Sequence, residues 1–135
     1  MFDQYACSSP HTIFVESNNK EIINNFAKKI AKSLEDINKI LIPKKEITPE
    51  KSLEIIDVRT EYGIKGNVIS SKGTEWTVIC SNEKEFAKPT FSRVIQVRKL
   101  DKEFLLKENS SRKIQTIAVV MEQEKRYEII DKLTL

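Results

Sequence analysis

Glycine is scarce in this sequence: three residues in 135, at positions 63, 66 and 73. A phosphate-binding loop needs glycines immediately before a helix, and these three fall between segments that read as strands, which disfavours a nucleotide-dependent enzyme. Histidine occurs once, as His11, and cysteine twice, as Cys7 and Cys80. Cys7 and His11 could supply two metal ligands, but no second pair completes a tetrahedral set. No metal or other cofactor is therefore expected. A disulfide is not expected either, because a chain of this length buries a sufficient core without one in a reducing compartment. Apolar runs such as Ile117–Met121 fall far short of the roughly 20 residues of a membrane-spanning helix. The start, MFDQYACSSP, has an acid at Asp3 and lacks the apolar centre of a secretory leader. The expectation is a cytoplasmic protein.

What the chain has in quantity is charge, 32% of residues, but with 23 basic against 20 acidic groups the net value is only +3. That surplus does not by itself imply nucleic acid, whose dedicated binders gather basic residues on one face. By size the chain is one domain, residues 1–135, with 1–10 as a loose N-terminal arm.

The clearest helical signal follows a short strand candidate at His11–Val15. Ile23, Phe26, Ile30, Leu34, Ile37 and Leu41 recur at steps of three and four, which puts them along one side of an α-helix. Ala27 and Ala31 sit beside that stripe and let the helix lie close to a sheet. Asn18 and Glu21 have capping-box spacing at its start, and Pro43 stops it. Thr48-Pro49-Glu50 then has the makings of a short helical turn, with Thr as cap and Pro at the first position.

From Leu53 to Val97 the apolar residues alternate in a period-two fashion between turn signals, as in an antiparallel sheet. Ile56, Val58 and Tyr62 form one parity of a first strand, and Asp57, Arg59 and Glu61 the other. KGNVIS, a hairpin turn at Ser71-Lys72-Gly73 with the glycine left-handed, and TEWTVIC continue the meander. Trp76, Val78 and Cys80 share one face of that third strand, whose other parity is also partly apolar, so it reads as central. Asn82 and Glu85 suggest a turn of helix, Phe91–Leu100 a strand, and Asp101–Asn109 either a helix or a hairpin return. Ile114–Met121 reads as a buried strand and Tyr127–Leu133 as an edge strand. The architecture expected is α+β: one long N-terminal helix packed on a curved, mainly antiparallel sheet of six to seven strands.

Candidate sites are few. Arg93, Arg98, Lys99, Arg112 and Lys113 are the basic residues clustered around the Phe91–Leu100 strand and the loop after it, and a basic sheet face with aromatics can bind nucleic acid. Tyr62, Trp76 and Cys80 are candidates to line a pocket between helix and sheet. Cys80, in phase with Trp76 and Val78, reads as a small packing residue, and no catalytic residue is assigned. The leading reading is a non-catalytic binding module for a macromolecular partner, nucleic acid or protein. One alternative is an obligate subunit that pairs, also with its own copy, through the edge strand. The other is a small-molecule or enzymatic pocket between helix and sheet.

Overall fold

The computed structural model describes residues 4, 9–41, 47–110 and 116–133. The chain divides into two compact units, Met1–Leu100 and Asp101–Leu135.

The first unit is built on a four-stranded mixed sheet. Strand β1 (Thr12–Val15) is followed by helices α1 (Lys20–Ile40) and α2 (Pro49–Lys65), then by strands β2 (Asn67–Ser70), β3 (Thr77–Ser81) and β4 (Val94–Lys99). Their order in the sheet is β1-β4-β3-β2. Strand β4 runs parallel to both neighbours, pairing Thr12 with Gln96 on one side and Thr77 with Val94 on the other, and only β2 is antiparallel. The chain is therefore α+β, but its described residues form four helices and a four-stranded mixed sheet instead of one helix on six or seven antiparallel strands.

Helix α1 forms where its apolar stripe demands. Asn19, one residue later than the expected cap, accepts the Glu21 N–H at 2.8 Å and starts the helix. Ile23, Ala27 and Ala31 are buried against Trp76, Val78 and Val97, with Phe26, Ile30, Leu34 and Cys80 packed alongside. Two alanines at the contact, with no side chain beyond a methyl, bring the helix axis close to the sheet.

The first strand expected, through Ile56, Val58 and Tyr62, does not exist: these residues lie in helix α2. Its start was correctly marked by Thr48, whose hydroxyl accepts the Lys51 N–H at 3.3 Å, and by Pro49 at the first turn. The helix then continues, because Ile55, Val58 and Tyr62 are also spaced three and four apart and seat on Ile79, Val94 and Val68. Helix α2 thus covers the sheet face opposite α1, which makes β3 the doubly covered strand its two apolar parities implied.

Other expectations are corrected locally. No glycine among the described residues has a positive φ, so Gly73 is not left-handed, and the β2–β3 turn closes instead through Ser71 N–H to the Trp76 carbonyl at 3.2 Å. No helical turn forms after Asn82; residues 82–93 run as an irregular strap between β3 and β4. In the second unit, α3 (Lys102–Ser110) and α4 (Gln123–Leu133) are helices that lie against each other. The described part of the expected strand Ile114–Met121 carries no strand, and its Val120 is 98% exposed. Tyr127–Leu133 is helical, which removes the edge strand proposed for subunit pairing. Among the described residues, no helix is long and apolar enough to cross a membrane.

Candidate functional site

Two polar clusters stand at the two ends of β4; at the carboxyl end Ser81 Oγ, in register with Arg98, is buried without a partner, while the arginine itself is fully engaged. At the carboxyl end, Arg98 is 2% exposed. Its Nε donates to Gln96 Oε1 at 3.1 Å, its Nη2 to the Tyr62 hydroxyl at 3.2 Å and to Glu83 Oε2 at 2.8 Å, and its Nη1 to the Glu85 carbonyl. The Tyr62 hydroxyl itself donates to Glu83 at 2.6 Å. Burial, followed by that hydrogen bond to Glu83, pushes the phenol pKa above its ordinary value. A buried cation needs such compensation, and here every branch of the guanidinium is used on it. This cluster fastens the strap to the sheet. The strap then crosses β1, with Phe86 edge-on to Phe14 at 5.5 Å and the Ala87 N–H donating to Thr12 Oγ1 at 3.2 Å.

At the amino end of β4 the pairing is incomplete and the backbone is strained. Phe91, Ser92 and Arg93 have φ of 60°, 53° and 59°, a left-handed run that costs L-residues about 1–2 kcal/mol each. The run is held because Val94 N–H bonds the Phe91 carbonyl at 3.1 Å and Thr77 N–H bonds the Arg93 carbonyl at 3.0 Å. Arg93, itself buried, places its guanidinium on the C-terminal end of α1, donating to Asn38 Oδ1 at 2.9 Å and to the Leu41 carbonyl at 3.0 Å. A cation there meets the negative end of the helix dipole. Phe91 turns its ring against His11 at 5.1 Å, nearly perpendicular, and lies 5.7 Å from the Lys51 ammonium. Lys51 also donates to the Thr90 carbonyl at 3.1 Å and pairs with Glu54.

Gln4 completes this end. Its Nε2 donates to the Pro10 carbonyl at 2.8 Å and to the Val94 carbonyl at 3.0 Å. It is 6% exposed, and with φ of 62° it is the fourth and last non-glycine residue of positive φ among those described. Gln4 Oε1, Ser9 Oγ and His11 Nδ1 are buried without a hydrogen-bond partner. Burial also holds the His11 pKa below 6.5, so the imidazole is neutral at neutral pH. Strain and unsatisfied buried polar atoms are both expensive, and where they coincide a functional site is the natural suspicion. The groups on offer are neutral donors and acceptors, suited to an uncharged polar ligand group.

The basic candidates do not come together. Arg93 and Arg98 are buried at opposite ends of β4 and engaged internally, Lys99 is exposed beside Arg98, and Arg112 and Lys113 lie outside the described residues. Nor do the pocket candidates: Trp76 and Cys80 belong to the core on the α1 face and Tyr62 to the core on the α2 face. Burial pushes the Cys80 thiol up from its ordinary pKa, the opposite of an activated nucleophile. Gln4, Ser9, Lys51 and the left-handed turn escaped sequence reasoning, since nothing marks a turn of this kind when it is made without glycine or asparagine.

The family model for acyl-CoA reductase (LuxC) matches residues 1–135. The chain belongs to the LuxC acyl-CoA reductase family. No curated protein and no solved structure matches it. Membership in the LuxC family overturns the reading as a non-catalytic binding module and favours the enzymatic alternative.

Proposed function

We propose that this chain takes part in the reduction of an acyl-CoA thioester to an aldehyde. In that reaction the carbon–sulfur bond of the thioester breaks, CoA leaves as a thiolate that takes up a proton, and a hydride reaches the acyl carbon. The observation that carries the reading is the family match across residues 1–135.

Transfer of an acyl group from one sulfur to another calls for a thiolate, and Cys80, packed on the α1 face with a raised pKa, is not poised as one. The hydride comes from a separate donor. The described residues do not fit a nucleotide-bearing one: the β1–α1 connection, Glu16 to Asn19, has no glycine, and the Asn19 side chain already occupies the Glu21 N–H that a phosphate would take. No role in hydride delivery is assigned to them.

The test is aldehyde formation from acyl-CoA by the purified protein, with NADH and NADPH each supplied as hydride donor. Acyl-CoA-dependent aldehyde that persists in Cys80→Ala is the expected result, since that thiol is packed on the α1 face. Absence of acyl-CoA-dependent aldehyde with either donor overturns the proposal.

A further inference from the structure

We infer that Arg98, Tyr62 and Ser81 form a site for a phosphate group, and that the carboxylate of Glu83 stands in for that group. The three side chains share one face of the sheet. Ile79 packs with Tyr62 on the α2 side, so Ser81, two residues on, faces the same way, and in the parallel ladder it lies beside Arg98. Arg98 Nη2 donates to Glu83 Oε2 at 2.8 Å, and the Tyr62 hydroxyl donates to the same oxygen at 2.6 Å. Two donors held by the fold thus converge on one anionic oxygen. A third hydroxyl on the same face, Ser81 Oγ, is buried with no partner. Burial, followed by the bond to Glu83, raises the Tyr62 pKa, so the phenol keeps the proton it donates.

The donors and their acceptor differ in freedom. Arg98 and Ser81 are 2% and 6% exposed and belong to strands. Glu83 belongs to the irregular strap and its side chain is 42% exposed. When it swings into water it leaves a buried cation that needs an anion. A carboxylate accepts with two oxygens, whereas a phosphate brings one for the guanidinium and one for each hydroxyl, and charge-assisted bonds of this kind are the strong ones. The surroundings suit the extra charge. Lys65, paired with Glu61 at 2.7 Å, holds its ammonium 6.0 Å from the Tyr62 ring, and Lys99 is the exposed last residue of β4. The parallel strands β1, β3 and β4 bring their carboxyl ends to this edge of the sheet, the edge at which ligands enter open α/β sheets. The source of the phosphate rests on the acyl-CoA reading above, which makes it the ribose phosphate or the diphosphate of CoA; the site itself does not.

Calorimetric titration of the purified protein with inorganic pyrophosphate, at constant ionic strength, reads the site directly. Glu83→Ala frees the donors, so its affinity for pyrophosphate should exceed the parent's by about tenfold or more, and pyrophosphate should restore the melting temperature that the substitution lowers. In that background Ser81→Ala and Tyr62→Phe should each weaken binding roughly tenfold, the loss of one bond to a charged acceptor. Ser81→Ala removes a hydroxyl that bonds nothing in the fold, so a merely structural cluster would leave binding unmoved. If Glu83→Ala does not fold, Glu83→Gln, which keeps an acceptor and loses the charge, takes its place. CoA and dephospho-CoA separate the sources: weaker binding of dephospho-CoA assigns the ribose phosphate, and equal binding the diphosphate. CoA that fails to bind where pyrophosphate binds overturns CoA as the source. No saturable pyrophosphate binding by Glu83→Ala, or binding indifferent to both Ser81→Ala and Tyr62→Phe, overturns the site. Pyrophosphate bound at the site by a protein that reduces no acyl-CoA overturns the enzymatic reading alone.

Discussion

Arg98 and Glu83 meet at 2.8 Å across a change of environment: the arginine side chain is 2% exposed and the glutamate 42%. The guanidinium cannot leave and the carboxylate can. The pair therefore works as a fastening for the strap at residues 82–93, with its fixed half in the sheet.

Glu83→Ala should cost about 2–3 kcal/mol, less than a fully buried pair because the Glu85 carbonyl and Gln96 still compensate the cation. Urea denaturation measures it. A loss below about 0.5 kcal/mol, the usual scale of surface changes, would mean those two acceptors suffice.

Ser92 sits in the left-handed turn with φ of 53°, so Ser92→Gly should raise stability by roughly 0.5–1 kcal/mol by relieving strain. If the turn's rigidity supports the amino-end cluster, acyl-CoA reduction should fall in the same variant. A melting curve and a turnover assay on one preparation check both halves, and lower stability would show that the strain has been misjudged.

Helix α1 approaches the sheet through Ala27 and Ala31, which are 1% and 3% exposed. Ala31→Leu should destabilise by about 1–3 kcal/mol through overpacking. Ile30→Asp, which puts a charge into the same contact, should prevent folding. Wild-type thermal stability in Ile30→Asp would mean that the buried face of α1 is wrongly assigned.

The His11 pKa is lowered by burial from 6.5, so the unfolded chain binds this proton more readily than the folded one. Stability is therefore full above pH 6.5 and declines as pH drops below it towards the folded value. His11→Phe keeps a ring against Phe91 and removes the proton. Its melting temperature should show less acid sensitivity than the parent's across that window, and identical profiles would place the pH dependence elsewhere.

How much of this was legible in the sequence follows from how local each signal is. The β1 strand, the two-sided burial of β3 and the first turns of the α1 stripe depend on neighbours a few residues away and were legible, whereas Ile37 and Leu41, expected on the same stripe, are exposed and the buried face runs through Ala27 and Ala31. Helix α2 was misread because Ile56, Val58 and Tyr62 alternate like a strand while Ile55, Val58 and Tyr62 also satisfy a helix; the cap at Thr48-Pro49 was the better witness. Parallel pairing of β4 with β1 joins Thr12 to Gln96, a partnership no local pattern encodes. The site was less legible still. Arg93 and Arg98 looked like surface cations because the chain's positive groups are usually solvated, and only the fold shows that one caps α1 and the other anchors the strap. The clamp on Pro10 and Val94 is made by a glutamine that no motif singles out.

The strap is fastened by side chains at its start, middle and end instead of by a continuous backbone ladder, and that divides the molecule by its opening free energy. Amides of Ile95, Gln96 and Val97 exchange with solvent only when the sheet itself comes apart, whereas those between Glu83 and Thr90 are freed when a few clasps release. The cheapest excursion from the native state is then a peeling of this segment from β1, and it terminates at the turn beside Gln4 and His11. The same seam sets where a protease would first cut the folded protein.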